Sequence, residues 1–99
     1  MIYKIYKLKT GDVHFSEDIA NAITVYCLGQ MQNSELNFQR WKVGVTSNKD
    51  LTKGQMFKMW PCTSYLQAAQ TNSYFVNEKI MTDDTPNENG DETFIYVYQ

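Results

Sequence analysis

Ninety-nine residues, 42% hydrophobic and 14% aromatic, suit one compact domain and exclude intrinsic disorder. No apolar run approaches the roughly 20 residues that span a bilayer, and MIYKIYKLKTGD at the start lacks a signal peptide's apolar stretch, so the expectation is a soluble, cytoplasmic chain. The net charge of −2 does not draw polyanions, although its distribution is uneven: up to Lys58 eight basic residues outnumber five acidic ones, and beyond it Lys79 stands against six acids.

IYKIYKL, residues 2–8, has the β-branched and aromatic character of a strand, and Gly11-Asp12 breaks it. His14 is the only histidine and lies in GDVHFSED, a turn before a helix, where a loop or cap role is the simplest. Ser16 can cap that helix, with Glu17 and Asp18 favourably placed in its first turn. Ile19, Ala22, Ile23, Tyr26 and Cys27 follow at helical spacing, and Gly29 with MQNSELN ends the run.

Residues 38–46 read as a second strand, SNKDLTKG as a loop or short frayed helix, and residues 56–60 as a third strand stopped by Pro61. Ser64 and Gln67 form a capping box opening a second helix over residues 64–80. On it Leu66, Ala69, Ser73, Val76 and Ile80 share one face, with Ala68 and Phe75 beside them. TDDTPNENGDE reads as a solvated loop in which replacing Asp83 and Asp84 costs little stability. TFIYVYQ is a closing strand. The resulting β-α-β-β-α-β order implies an α+β domain spanning residues 1–99, with a mostly antiparallel sheet and two helices on one face. The other face is left to water, a partner or a ligand.

Cys27 and Cys62 are isolated, so neither a zinc site nor a disulfide framework is expected. The acidic loop lacks the D-x-D-x-D-G spacing of a calcium loop. No cofactor and no metal are expected.

WKVGVTSN, MWPCTSYLQAAQTNSYFVNEK and DDTPNENGDETFIYVYQ together resemble the GIY-YIG nuclease family, in degenerate form, over about the last three-fifths of the chain. WKVG looks like that family's YIG strand and Gly44 matches its glycine. The resemblance implies a catalytic tyrosine, an arginine and a metal-binding glutamate. At the tyrosine position stands Trp41, which has no hydroxyl. The arginine falls near Leu51 and Thr52, with Lys53 the closest cation. The glutamate aligns with Asn72, a neutral and weaker cation ligand. Tyr3 or Tyr6 would have to stand in for the GIY strand. The resemblance therefore implies a site without catalytic residues.

The same element order is that of the RNA-recognition motif. KGQMFKMW matches its RNP1 strand at Lys53, Gly54, Phe57 and Trp60, while Gln55 and Met56 depart from it. With Lys58, Lys53, Phe57 and Trp60 would form a nucleic-acid platform; their simpler role is packing with a solvated lysine. The leading expectation is a non-catalytic binding protein on a degenerate GIY-YIG-like scaffold. It would bind another protein as an inhibitor or adaptor, of the kind phages and mobile elements carry. The alternatives are an RNA-recognition-like module binding nucleic acid and, behind it, a residual metal-dependent nuclease.

Overall fold

The computed structural model describes residues 14–31, 37–85 and 88–99. The expected first strand, with Tyr3 and Tyr6, lies outside the described residues. The elements, in chain order, are α1 (Glu17–Gln30), a 3₁₀ turn (Phe38–Arg40), β1 (Lys42–Thr46), β2 (Lys58–Pro61), α2 (Tyr65–Glu78), β3 (Thr82–Asp83) and β4 (Phe94–Tyr98).

Both helices begin where the sequence places their caps. Ser16 Oγ accepts the Ile19 N–H at 3.2 Å, satisfying one of α1's orphan donors. Ser64 Oγ accepts the Gln67 N–H at 3.1 Å, and Gln67 Oε1 reaches back to the Thr63 N–H at 2.8 Å. The capping box therefore closes one residue earlier than its usual partner.

The buried faces differ from the expected stripes. On α1, Ala20, Ile23 and Cys27 point inward, while Ala22 is exposed. Ile23 and Cys27 define the inward direction, and at 3.6 residues per turn Ala20 lies closer to it than Ala22 does. On α2 the buried residues are Ala68, Thr71, Asn72, Tyr74 and Phe75. Leu66 and Ile80 are instead 46% and 56% exposed, and Ser73 faces solvent. The fully buried Phe75 sets this face. Thr71 follows it inward because its hydroxyl donates to the Gln67 carbonyl at 2.7 Å and leaves no unmet polar group. Ile80 lies just past α2, in the left-handed region at φ 61°, with the Lys79 and Met81 N–H groups both donating to the Phe75 carbonyl.

The four-stranded sheet has the order β2-β4-β1-β3 and is mixed: β4 runs antiparallel to β1 and β2, while β3 runs parallel to β1. The second strand begins at Lys42, not Phe38, because Asn37 Oδ1 accepts the Gln39 N–H at 2.9 Å and draws residues 38–40 into a turn. Phe57 precedes β2, which runs on to include Pro61. Cys62 N–H donates across to the Thr93 carbonyl at 2.7 Å, so by alternation Pro61's nitrogen faces the outer edge, where its missing N–H costs no ladder bond.

The acidic loop is more ordered than its composition suggests. Thr82 N–H and Asp84 N–H donate to the Trp41 and Val43 carbonyls at 3.1 and 2.8 Å, adding β3 to the sheet. Glu92 is only 5% exposed. This corrects the expectation of a wholly solvated segment: backbone pairing and specific carboxylate contacts replace apolar packing there.

Alternation along the paired strands separates two faces. Val43, Val45, Ile95 and Val97 join Ile23, Cys27, Trp41, Ala68 and Phe75 in one core, so both helices cover this side. The other side carries Lys42, Gly44 and Thr46 from β1, Met59 from β2, and Phe94, Tyr96 and Tyr98 from β4. No helix covers it among the described residues. No described helix is long and apolar enough to cross a membrane.

Candidate functional site: a carboxylate clasp on the open sheet face

Tyr96 lies opposite Gly44 in the β1–β4 register, and Asp84 follows β3 on the far side of β1. The absence of a side chain at Gly44 joins them. A Cβ there would collide with Tyr96 Oη and stand 2.6 Å from Cζ and 3.0 Å from Thr85 Oγ1. The Tyr96 ring thus lies across β1 and its hydroxyl donates to Asp84 Oδ2 at 2.8 Å. Tyr98 Oη donates to Oδ1 at 3.0 Å, and Lys53 Nζ completes the cluster at 2.6 Å from Oδ2. Thr85 Oγ1 accepts the Val45 N–H at 2.8 Å, extending the ladder past the end of β3.

Lys53 reaches Asp84 because residues 53–57 fold over β4. Gln55 and Gln99 exchange backbone hydrogen bonds, each 2.8 Å long. Gly54 adopts φ 53°, where a Cβ would strike the Gln99 carbonyl and the Tyr98 ring. Phe57 then stacks on Tyr96 at 5.5 Å between centroids and 24° between planes, with Tyr98 continuing the row 6.1 Å from Tyr96. Lys42 Nζ stands 5.5 Å from the Tyr98 centroid, and Lys53 Nζ 5.8 Å from it.

The electrostatics fix the protonation states. Partial burial alone would raise the Asp84 carboxyl, but hydrogen bonds from Lys53, Tyr96 and Tyr98 outweigh it and hold the group below its ordinary value. The hydrogen bond to Asp84 raises Lys53. Burial first, and then Asp84, push both phenols up. At neutral pH the cluster is therefore an ammonium, a carboxylate and two protonated phenols. A general base works best with a value near the operating pH, and each of these groups is displaced away from it. The arrangement pins the loop and rings in place.

The sheet divides the residues that the sequence singled out. Trp41 is fully buried just before β1, with Tyr26 6.1 Å away and its indole N–H without a partner. Asn72 is buried on α2, with Nδ2 3.4 Å from Asp83 Oδ1 and its own Oδ1 unpartnered. Gly44 and Lys53 belong to the open-face cluster. The family-equivalent positions thus do not converge on one cleft.

The four nucleic-acid candidates divide similarly. Lys53 and Phe57 are on the open face. Trp60 turns toward the helices, 5.7 Å from Tyr26, and Lys58 stands over it at 5.9 Å. Sequence reasoning missed Asp84, Tyr96 and Tyr98 as a unit. The usable signal was FIYVY, whose tyrosines alternate with core residues. Burial pushes the free thiols of Cys27 and Cys62 up to about 12 and about 11. Among the described residues no group of three or more His, Cys, Asp or Glu side chains is placed to hold a metal. No protein-family model matches the chain, and neither does any curated protein or solved structure.

Proposed function

We propose that this chain is a non-catalytic binding module, an inhibitor or adaptor whose partner is another protein and whose working surface is the open face of the sheet. The observation carrying this reading is the row of half-buried side chains there, Phe57, Met59, Phe94 and Tyr98, of which Tyr98 is held by Asp84 and Phe57 by stacking on Tyr96. Aromatic side chains that are rigid before contact lose little entropy on binding, and Tyr and Phe are enriched at protein interfaces. Lys53 is neutralised by Asp84, which leaves this face a weak attractor of phosphate. A degenerate GIY-YIG-like scaffold accords with Trp41 in the core and a neutral Asn72. A reducing, cytoplasmic setting accords with two free cysteines.

The placement of Lys42 and Lys53 over the Tyr98 ring favours the second reading, a single-stranded nucleic acid stacked on this face. Two measurements separate them. A photo-crosslinking side chain at Met59 or Phe94 should give one discrete protein adduct in nuclease-treated host extract, and the same group at Asn77 on α2 should not. Labelled single-stranded DNA and RNA should show no retardation by the purified chain. Retardation that weakens steeply between about 50 and 200 mM salt, and is lost in Lys42→Ala, would establish the nucleic-acid reading instead.

A further inference from the structure

Just before β4, residues 88–92 wrap a single carboxylate. Glu92 accepts the Asn89 N–H through Oε2 at 2.8 Å and the Gly90 N–H through Oε1 at 2.9 Å. These backbone donors, Asn89 foremost, hold its carboxyl below the ordinary range. Gly90 adopts φ 94° with nothing near the place a Cβ would take, so the turn depends on glycine's backbone freedom and not on close packing. The two clasped residues are an Asn-Gly pair, both exposed. In such a pair the backbone nitrogen after asparagine is unhindered and close to the side-chain amide carbon.

We propose that Asn89-Gly90 is a self-modifying site, converting slowly to an acidic residue through a succinimide, and that Glu92 holds it shut. Gly90 N, once its proton has passed to a base in solvent, forms a bond to Asn89 Cγ. The Cγ–Nδ2 bond breaks and that nitrogen leaves as ammonia. Water then opens the ring at either carbonyl, leaving aspartate or isoaspartate at position 89. Nothing is oxidised or reduced, and water is the only co-reactant. While Gly90 N–H donates to Glu92, the nitrogen neither loses its proton nor turns toward Cγ without breaking a charge-assisted hydrogen bond. The new carboxylate stands beside Glu92 and Glu88, and its repulsion loosens the turn together with the Tyr65 Oη–Glu88 contact at the start of α2.

The test is peptide mapping by mass spectrometry, with isoaspartate quantification, on purified protein aged at mildly alkaline pH. Native wild type should convert Asn89 about tenfold more slowly than the same chain in urea. Glu92→Gln should close most of that gap while Asn77 keeps its native rate. Glu92→Asp, which keeps the charge but loses reach, tests the same contact should Glu92→Gln fail to fold. Hydrogen exchange should show the wild-type Gly90 amide protected. Conversion in native wild type as fast as in urea would overturn the proposal. So would an unprotected Gly90 amide, or a folded Glu92 variant that ages no faster than wild type.

Discussion

Gly44→Ala tests the whole open-face cluster with one methyl group. An alanine in place of glycine within a strand ordinarily stabilises by about 0.5–1 kcal/mol, because it restricts the unfolded chain and favours extended backbone. Here the added Cβ meets the Tyr96 hydroxyl, lies 2.6 Å from Tyr96 Cζ and presses on Thr85 Oγ1. The ring must rotate away, and the hydroxyl then loses Asp84, a hydrogen bond to a charged acceptor worth about 1.5–3 kcal/mol. Overpacking adds about 1–3 kcal/mol. Net of the glycine gain, the variant should be destabilised by about 1.5–5.5 kcal/mol, which lowers Tm by at least about 6 °C in a domain of this size. Urea unfolding at neutral pH measures it, and the double mutant with Tyr96→Phe identifies the cause. Phenylalanine removes the colliding oxygen but leaves the Cζ contact, so the two changes should couple by about 1 kcal/mol. A neutral or stabilised Gly44→Ala would refute the reasoning, as would effects additive to within about 0.5 kcal/mol.

Asp84→Asn should cost about 1–3 kcal/mol by calorimetry, because Lys53 loses its counter-charge and two phenols lose an ionised acceptor. The folded carboxyls of Asp84 and Glu92 lie below their ordinary values of 3.8 and 4.5. The stability they contribute is therefore complete above those values and lost as pH falls through the lower folded ones, and Asp84→Asn should flatten that acid limb. Ile80→Gly should stabilise by about 1 kcal/mol, read as a raised urea midpoint, because a β-branched residue at φ 61° is strained and its exposed side chain contributes little packing. Trp41→Ala should cost about 3–5 kcal/mol, and plasmid incubated with magnesium or manganese should remain uncut by wild type, Trp41→Tyr and Asn72→Glu alike. Cleavage by wild type that disappears in Lys53→Ala would refute the non-catalytic reading.

Features carried by neighbouring residues were legible in the sequence. Ser16 and Ser64 mark both helix starts because a cap is made within one turn, and the α+β class follows from the spacing of apolar runs. Which way each helix faces was harder to read. Ala20 and Ala22 are chemically identical, and Thr71 looks like a surface residue until its hydroxyl finds the Gln67 carbonyl. The clasp was least legible, since it joins positions 44, 53, 84, 96 and 98 through the order of the sheet. An aspartate in a turn-rich acidic segment carries no local sign that two tyrosines and a lysine will converge on it.

The order β2-β4-β1-β3 also governs how the chain avoids sticking to itself. β4, FIYVY, has the composition of a fibril-forming segment, being β-branched and aromatic without charge or proline. It sits between two other strands, and both of its edges are already paired. Among the described residues the outer positions go to β3, only two residues long, and to β2, which carries Lys58 and Pro61. Short, charged or proline-bearing edges are poor templates for an incoming strand. Losing β2 alone would uncover one flank of β4 while β1 still paired the other, so β2 is the strand that shields this segment from an incoming chain.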